Sequence, residues 1–155
     1  MTARSTDHAT FVIDRSYDAP PSRVFGAFAN PEAKARWFVG PAGKWTEIAR
    51  EFDFRLGGRE RLKGGFSGGP VSAFDCLYWD IVPDERIVYT YDMHLDDKRI
   101  SVSLSTVEFK AAGAGTRLIY AGQAVFLDGF EDPAGRGREH GTRALFDNLE
   151  AALRR

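Results

Sequence analysis

The hydrophobic pattern at the end of the chain predicts an amphipathic helix over residues 137–155. At about 3.6 residues per turn, one face of this helix carries Leu145, Phe146, Leu149, Ala152 and Leu153. The opposite face carries Glu139, Arg143, Asp147, Glu150 and Arg154. The apolar face ends in Arg138, Gly141 and Thr142 toward the N-terminus. We therefore expect Leu149 and Leu153 to close a core, and the N-terminal half of the face to border a cavity.

The rest of the chain alternates apolar and polar residues as β-strands do. One strand is predicted over 10–18, then two short helices that Pro20 and the Asn30–Pro31 pair begin, and then further strands. The further strands are predicted over 48–54, 59–65, 71–82, 87–93, 98–111 and 118–126. Short turns between consecutive strands favour antiparallel pairing. The expected fold is α+β: one domain over 1–155, with a sheet curled around the C-terminal helix and residues 1–9 as a disordered or frayed tail.

The strand over 98–111 changes its apolar parity along its length. Ile100, Val102 and Leu104 are in phase, and the phase then moves to Val107 and Phe109, which predicts a β-bulge or a twist in the strand. With this parity, the intervening serines, Ser101, Ser103 and Ser105, are expected on the outer, solvated face of the sheet. Cys76 lies inside a predicted strand and is expected to be a small core residue.

Composition narrows the classes of function. The chain has 155 residues, with 21 basic side chains against 22 acidic ones, and this balance gives no support to nucleic-acid binding. No apolar run reaches the length of a membrane span, and the one cysteine cannot form an intrachain disulfide. A cytoplasmic protein is expected. A homodimer formed through an exposed strand edge is left open.

Metal, phosphate and acid–base sites find little support. His8, His94 and His140 lack zinc-ligand spacing, so neither a metal nor a cofactor is expected. Asp92 and His94 share one strand face and could form an acid–base pair, but the opposite face is the one expected to point inward. The glycines of 64–70 lack the lysine and following helix of a phosphate loop, which indicates a mobile hairpin connection.

Aromatic residues provide the better candidates. Phe25, Trp37, Phe38, Tyr89, Tyr91, Phe126 and Phe146 could converge near the short helices and the last helix. They either fill the core or line a cavity for an apolar or aromatic ligand that tyrosine hydroxyls orient. Arg138 either extends into solvent or, if it lies inside, needs an anionic partner from the protein or from a ligand carboxylate.

Several short motifs resemble a known superfamily in their order along the chain. They are Arg15, Ala19 and Pro20; Val24 and Phe25; Asn30, Pro31 and Glu32; Trp37, Gly40 and Pro41; Arg55, Gly57 and Gly58; Pro83, Arg86, Ile87, Val88 and Thr90; and Gly115, Thr116 and Leu118. Together they resemble the START-like (SRPBCC, Bet v 1-like) superfamily, and within it the homologues of the activator of heat shock protein 90 ATPase. The resemblance implies a helix-grip fold of about six or seven strands, with a cavity between the sheet and the C-terminal helix.

The superfamily includes ligand carriers, polyketide cyclases and aromatases, and chaperone-associated proteins, so the resemblance leaves function open. We favour a domain that binds a hydrophobic or aromatic small molecule, with no catalytic residue assigned. The alternatives are a cyclase- or aromatase-like enzyme that uses Tyr89, Tyr91, Arg138 and Thr142, and a chaperone-associated interaction protein. The predicted ligand pocket comprises Phe25, Trp37, Phe38, Tyr89, Tyr91, Phe126, Arg138, Gly141, Thr142, Leu145 and Phe146.

Overall fold

Seven antiparallel strands form one curved sheet in the computed structural model, which describes residues 4–154. The strands are β1 (Thr6–Tyr17), β2 (Trp45–Phe52), β3 (Arg59–Phe66), β4 (Val71–Val82), β5 (Arg86–Leu95), β6 (Lys98–Ala112) and β7 (Gly115–Leu127). Their order in the sheet is β1-β7-β6-β5-β4-β3-β2, so β2 to β7 form a meander and β1 pairs with β7. The edges of the sheet are therefore β1 and β2, and dimerisation through either edge stays a prediction.

Three α-helices accompany the sheet: α1 (Pro21–Ala29), α2 (Pro31–Trp37) and α3 (Arg136–Leu153). The side chain of Asn30 caps α2 by accepting a hydrogen bond from the Ala33 amide at 3.0 Å, as its position before proline predicts. The helix α3 contacts α1, α2 and β1. The predicted α+β helix-grip architecture is confirmed. Within residues 4–154, no helix combines the length and the apolarity that crossing a bilayer requires.

The first strand starts earlier than its apolar pattern predicts. β1 begins at Thr6, whose partner in β7 is Leu127, and Ala9 is buried. The expected frayed tail is therefore wrong for residues 6–9, because backbone pairing with β7 orders residues whose side chains are mostly polar. The part of that prediction that concerns residues 1–3 lies outside the described residues.

The residues of β6 that face inward differ from those that the sequence predicted. Met93 pairs with Ser101 and His94 pairs with Arg99, so Ile100 is the extra residue of a bulge, and both Ile100 and Ser101 are buried. The predicted change of parity between Leu104 and Val107 is wrong, because Val107 and Phe109 continue the inward face of the serines without a register shift. All three serines of 101–105 therefore point inward. Val102 is 44% exposed and Leu104 is 37% exposed on the outer face.

The glycine-rich stretch 64–70 is only partly a loop. Gly64 and Gly65 belong to β3, and the connection to β4 is limited to residues 67–70. The strand predicted over 59–65 is therefore confirmed at these two glycines, and the hairpin connection predicted over 64–70 is shorter than expected. The indole of Trp45 lies against Gly64, where an added Cβ would come within 2.0–2.1 Å of its ring atoms. Gly64 therefore permits close packing of Trp45 on the sheet.

We expect Gly64→Ala to destabilise the protein by about 1–3 kcal/mol, because the added methyl group overpacks the Trp45 contact. The adjacent Gly65→Ala is the matched control, since its Cβ would meet its nearest neighbour, Ile48, at an ordinary 3.6 Å. Chemical unfolding of both variants measures the difference. Equal free energies of unfolding for the two variants would contradict this packing account.

Candidate ligand-binding site

The inner side of the sheet divides into a closed part and a more open part. Phe11, Ile13, Val107, Phe109, Leu118 and Tyr120, on β1, β6 and β7, are all buried. On β4 and β5, by contrast, Phe74, Tyr89 and Met93 are only half-buried, although they pack against the same core. Phe38, which follows α2, and Leu145 on α3 are also half-buried beside this core. We call these five residues the inner surface.

Contacts between rings make the inner surface continuous. The rings of Phe38 and Phe74 lie 5.0 Å apart between centroids, and Phe74 lies 4.8 Å from Tyr91. Tyr89 follows at 6.0 Å from Tyr91. The predicted inward orientation of Tyr89, Tyr91 and Met93 is therefore confirmed.

A row of hydroxyl groups runs beside the inner surface on β6, where the sequence analysis placed serines on the wrong face. Ser101, Ser103 and Ser105 are buried there, and the hydroxyls of Ser105 and Tyr120 lie 2.7 Å apart. Burial raises the pKa of Tyr120 and Tyr89 well above the usual value, and neighbouring tyrosines raise it further. Both phenols therefore keep their protons at neutral pH.

Arg138 reaches from α3 to one end of this hydroxyl row. Its Nη1 donates to the hydroxyls of Tyr91 and Ser103, both at 3.1 Å, and its Nη2 donates to Ser101 at 2.7 Å. The guanidinium lies 5.5 Å from the ring centroid of Tyr91 and 5.3 Å from that of Phe126. Of the two orientations that the sequence left open, the structure has the inward one.

The charge of Arg138 has no anionic partner in the described part of the chain. No Asp or Glu oxygen among residues 4–154 lies within ion-pair distance of its guanidinium. The carboxylate of Asp132 instead accepts from the backbone amide of Arg138, at 2.9 Å. A half-buried cation thus relies on neutral hydroxyls, which is an unusual arrangement because a desolvated charge normally has a counter-ion.

Gly141 and Thr142 make different contributions to the helix surface. Thr142 is buried, and its hydroxyl donates to the carbonyl of Arg138 at 2.9 Å, so its polar group is satisfied within the helix. Gly141 is exposed, and a Cβ added there would meet nothing within 4 Å. This leaves open space at the edge of α3 next to Leu145.

The remaining predicted pocket residues lie in buried clusters. Phe146 lies 6.3 Å from Trp37, and Phe25 lies 5.4 Å from Phe109, between ring centroids. Phe126 packs in a second small cluster with Phe130, next to Arg138. The structure thus brings Phe38, Tyr89, Tyr91, Leu145 and Arg138 to the inner surface or its hydroxyl row. It places Phe25, Trp37 and Phe146 in the core.

A buried ion pair next to the inner surface was missed. Lys34 on α2 is 5% exposed and Glu60 on β3 is 1% exposed, and Lys34 Nζ lies 2.7 Å from Glu60 Oε1. The Tyr78 hydroxyl donates to the same oxygen at 2.5 Å, and burial followed by the charge of Glu60 raises the pKa of Tyr78 far above normal. The lysine nitrogen also lies 4.7 Å from the ring centroid of Phe38. This pair fixes α2, and hence Phe38, against the sheet.

One sequence signal could have revealed this pair. Glu60 shares its strand parity with Leu62, and Lys34 precedes Trp37 and Phe38 by three and four residues on a helix. Strand parity alone, however, does not show whether Glu60 faces inward. Its partner Lys34 lies 26 positions away in the sequence, so no local pattern pairs the two residues. Cys76, the expected core residue, is indeed buried, and burial raises its thiol pKa to about 12.

The Asp92–His94 pair and two depressions in the protein surface lie away from the inner surface. His94 Nδ1 is 4.0 Å from Asp92 Oδ2, which Arg99 also approaches at 3.1 Å. Across residues 4–154, no three His, Cys, Asp or Glu side chains are grouped as a metal site would need. Two surface depressions, of about 540 and 300 Å³, are lined by residues around Arg86 and around Val102 respectively. Neither includes a residue of the predicted pocket.

Comparison with known proteins agrees with this geometry. The sequence profile of the family described as activator of Hsp90 ATPase homolog 1-like protein matches residues 18–154. The chain belongs to this family. Family membership confirms the resemblance to START-like proteins that the ordered motifs indicated. No protein with curated annotation matched the chain.

Solved structures of other members have the same fold. A putative uncharacterised protein from Rhizobium leguminosarum is 46% identical, with a TM-score of 0.92 and coverage of 99% of both chains. A protein from Rhizobium loti is 43% identical, with a TM-score of 0.86, and the match covers 96% of this chain and 99% of that one. A protein from Chromobacterium violaceum is 27% identical, with a TM-score of 0.74 and coverage of 93% and 96%.

Proposed function

We propose that this family member binds a hydrophobic or aromatic small molecule on the inner surface, between the sheet and α3. The proposal rests on a difference in burial among side chains that pack against the same core. The inward-facing apolar side chains of β1, β6 and β7 are buried. On β4 and β5, Cys76, Tyr78, Ile87 and Tyr91 are buried too, but Phe74, Tyr89 and Met93 keep accessible surface. Exposed aromatic surface inside a concave sheet favours a ligand, because covering it contributes about 25 cal/mol per Å².

The surroundings of the inner surface suit such a ligand. Tyr89 remains protonated at neutral pH because burial raises its pKa, so its hydroxyl is an uncharged polar group beside the inner surface. Open space at Gly141 lies next to Leu145 and leaves room on the helix side. We propose binding rather than catalysis, because the strongest acid–base pair in the interior, Lys34 and Glu60, is already bonded within itself. The cyclase-like and chaperone-associated alternatives stay predictions from the sequence.

Calorimetric titration with neutral 2-naphthamide tests the proposal. We expect saturable one-to-one binding, and we expect Met93→Trp to weaken it by about 10-fold or more, because the larger side chain fills the inner surface. Val102→Trp is the matched control, since Val102 lies on the neighbouring strand but faces outward. Absence of saturable binding, or equal losses in the two variants, would contradict the proposal.

A further inference from the structure

We infer that the ligand of this protein carries a carboxylate group, and that Arg138 binds it at one end of the inner surface. The inference rests on the proposed function and names the class of ligand: an aromatic or apolar monocarboxylic acid. It starts from the charge of Arg138, a half-buried guanidinium whose hydrogen-bond partners among the side chains of residues 4–154 are the hydroxyls of Tyr91, Ser101 and Ser103.

The guanidinium retains free donors. An arginine side chain has five N–H groups, and three of them here donate to hydroxyls. The Nε–H and one Nη2–H of Arg138 therefore have no acceptor within residues 4–154. An adjacent pair of free N–H groups matches the two oxygens of a carboxylate, which arginine binds in a bidentate manner.

One of the two free donors, the Nε–H, is also accessible. Among the described residues, every side-chain nitrogen or oxygen that is completely buried has a hydrogen-bond partner. Since Arg138 Nε has none and its residue is not exposed, this nitrogen must keep contact with accessible space. This nitrogen is therefore the free donor that a ligand would contact first.

The hydroxyls around Arg138 add further donors. Tyr91 and Ser103 accept hydrogen bonds from the guanidinium, so each keeps its own O–H to donate, whereas Ser101 is completely buried. The rings of Tyr91 and Phe126 line the same place and exclude water from one side of the cation. A desolvated, charge-assisted hydrogen bond is stronger than its counterpart in water. The end of the site is thus built for oxygen acceptors that carry negative charge.

Charge favours a monoanion over a phosphate dianion. Arg138 contributes one uncompensated positive charge, and the other interior cation, Lys34, is neutralised by Glu60 at 2.7 Å. A carboxylate matches a single charge, whereas a phosphate ester would leave negative charge unpaired in an apolar environment.

The position of Tyr91 links this end to the inner surface. Its hydroxyl contacts Arg138, and its ring lies 4.8 Å from Phe74, which in turn lies 5.0 Å from Phe38. A ligand with its acid group at Arg138 would therefore extend its apolar body over Phe74 toward Phe38. This places an aromatic acid, rather than a small inorganic anion, in the site.

Titration of the protein with three probes of one shape tests the inference: 2-naphthoate, neutral 2-naphthamide and 2-naphthyl phosphate. We expect the wild-type protein to bind 2-naphthoate about 10- to 100-fold more tightly than 2-naphthamide, the range for a hydrogen bond to a charged group. Arg138→Gln should bring this ratio close to one, because it removes the charge that distinguishes the acid from the amide. Arg138→Lys, which keeps the charge but loses the planar fork, should retain part of the preference.

Arg136→Gln is the control for net charge, because Arg136 is exposed at the start of the same helix and should keep the full preference. Equal affinities of the wild-type protein for 2-naphthoate and 2-naphthamide would overturn this inference alone and leave the proposed function standing. Tighter binding of 2-naphthyl phosphate than of 2-naphthoate would overturn the carboxylate class. No binding of any probe would overturn the proposed function itself. If a thermal melt shows that Arg138→Gln is unfolded, the inference is tested by the affinity ratio of the wild-type protein and by that of Arg138→Lys.

Discussion

Lys34→Met is expected to destabilise the protein by about 3–5 kcal/mol, the usual cost of breaking a buried ion pair from one side. The substitution leaves the carboxylate of Glu60, which is 1% exposed, without its cation. The Tyr78 hydroxyl still donates to that carboxylate, but a neutral hydrogen bond does not replace the lost charge. Urea unfolding followed by circular dichroism measures the loss.

Two further variants separate the ion pair from general effects of removing a lysine. Lys63→Met removes an exposed lysine from the same strand as Glu60 and should change the free energy of unfolding by less than about 0.5 kcal/mol. Adding Glu60→Gln to Lys34→Met should recover part of the stability, because the unpaired buried charge is then gone. An unpaired buried charge is costly, so Lys34→Met should lose well over 1 kcal/mol. A loss below about 1 kcal/mol would contradict the description of Lys34 and Glu60 as a buried ion pair.

The second large effect is expected at Phe146, where truncation to alanine should cost about 3–5 kcal/mol. Phe146 is 2% exposed, and its ring contacts those of Trp37 and Tyr120, the latter at 5.5 Å between centroids. Its backbone carbonyl also accepts a hydrogen bond from the Tyr17 hydroxyl at 3.1 Å. The cavity left by the ring cannot collapse easily, because aromatic neighbours surround it.

Leu145 provides the comparison, since it is adjacent on α3 but only half-buried at the inner surface. Leu145→Ala should cost only about 1–2 kcal/mol, in proportion to the smaller area that it buries. Leu145→Ala should also alter the affinity for 2-naphthamide. Phe146→Ala, in the core, should instead act mainly on the free energy of unfolding. Equal losses of stability at the two positions would show that α3 lacks the division into a core part and a ligand-facing part.

The sequence predicted the elements whose patterns are local. The amphipathic period of α3, the Asn30–Pro31 start of α2 and the turn residues that bound β4 each act within a few positions, so these elements were found within one or two residues. Leu149, expected to close the core, is fully buried, while Leu153 is half-buried.

Features that depend on partners far along the chain were not predictable in this way. The phase of β6 is set by its register with β5, where one extra residue at Ile100 turns Ser101 inward. Alternation alone could not locate that bulge, because Val102 and Leu104 are as apolar as core residues. The Lys34–Glu60 pair and the half-burial of Phe74 depend on how α2 and α3 cover the sheet. These features define the candidate site, which is why its composition was only partly predicted.

The most direct measurement of ligand binding at the inner surface uses the methionines. The chain has two, Met1 and Met93, and Met93 lies on the inner surface. In protein labelled with ¹³C at the methionine methyl groups, titration with 2-naphthamide should shift the Met93 signal progressively to saturation. A Met93 signal that stays unchanged while the probe binds would contradict the account, because the ligand would then lie elsewhere on the protein.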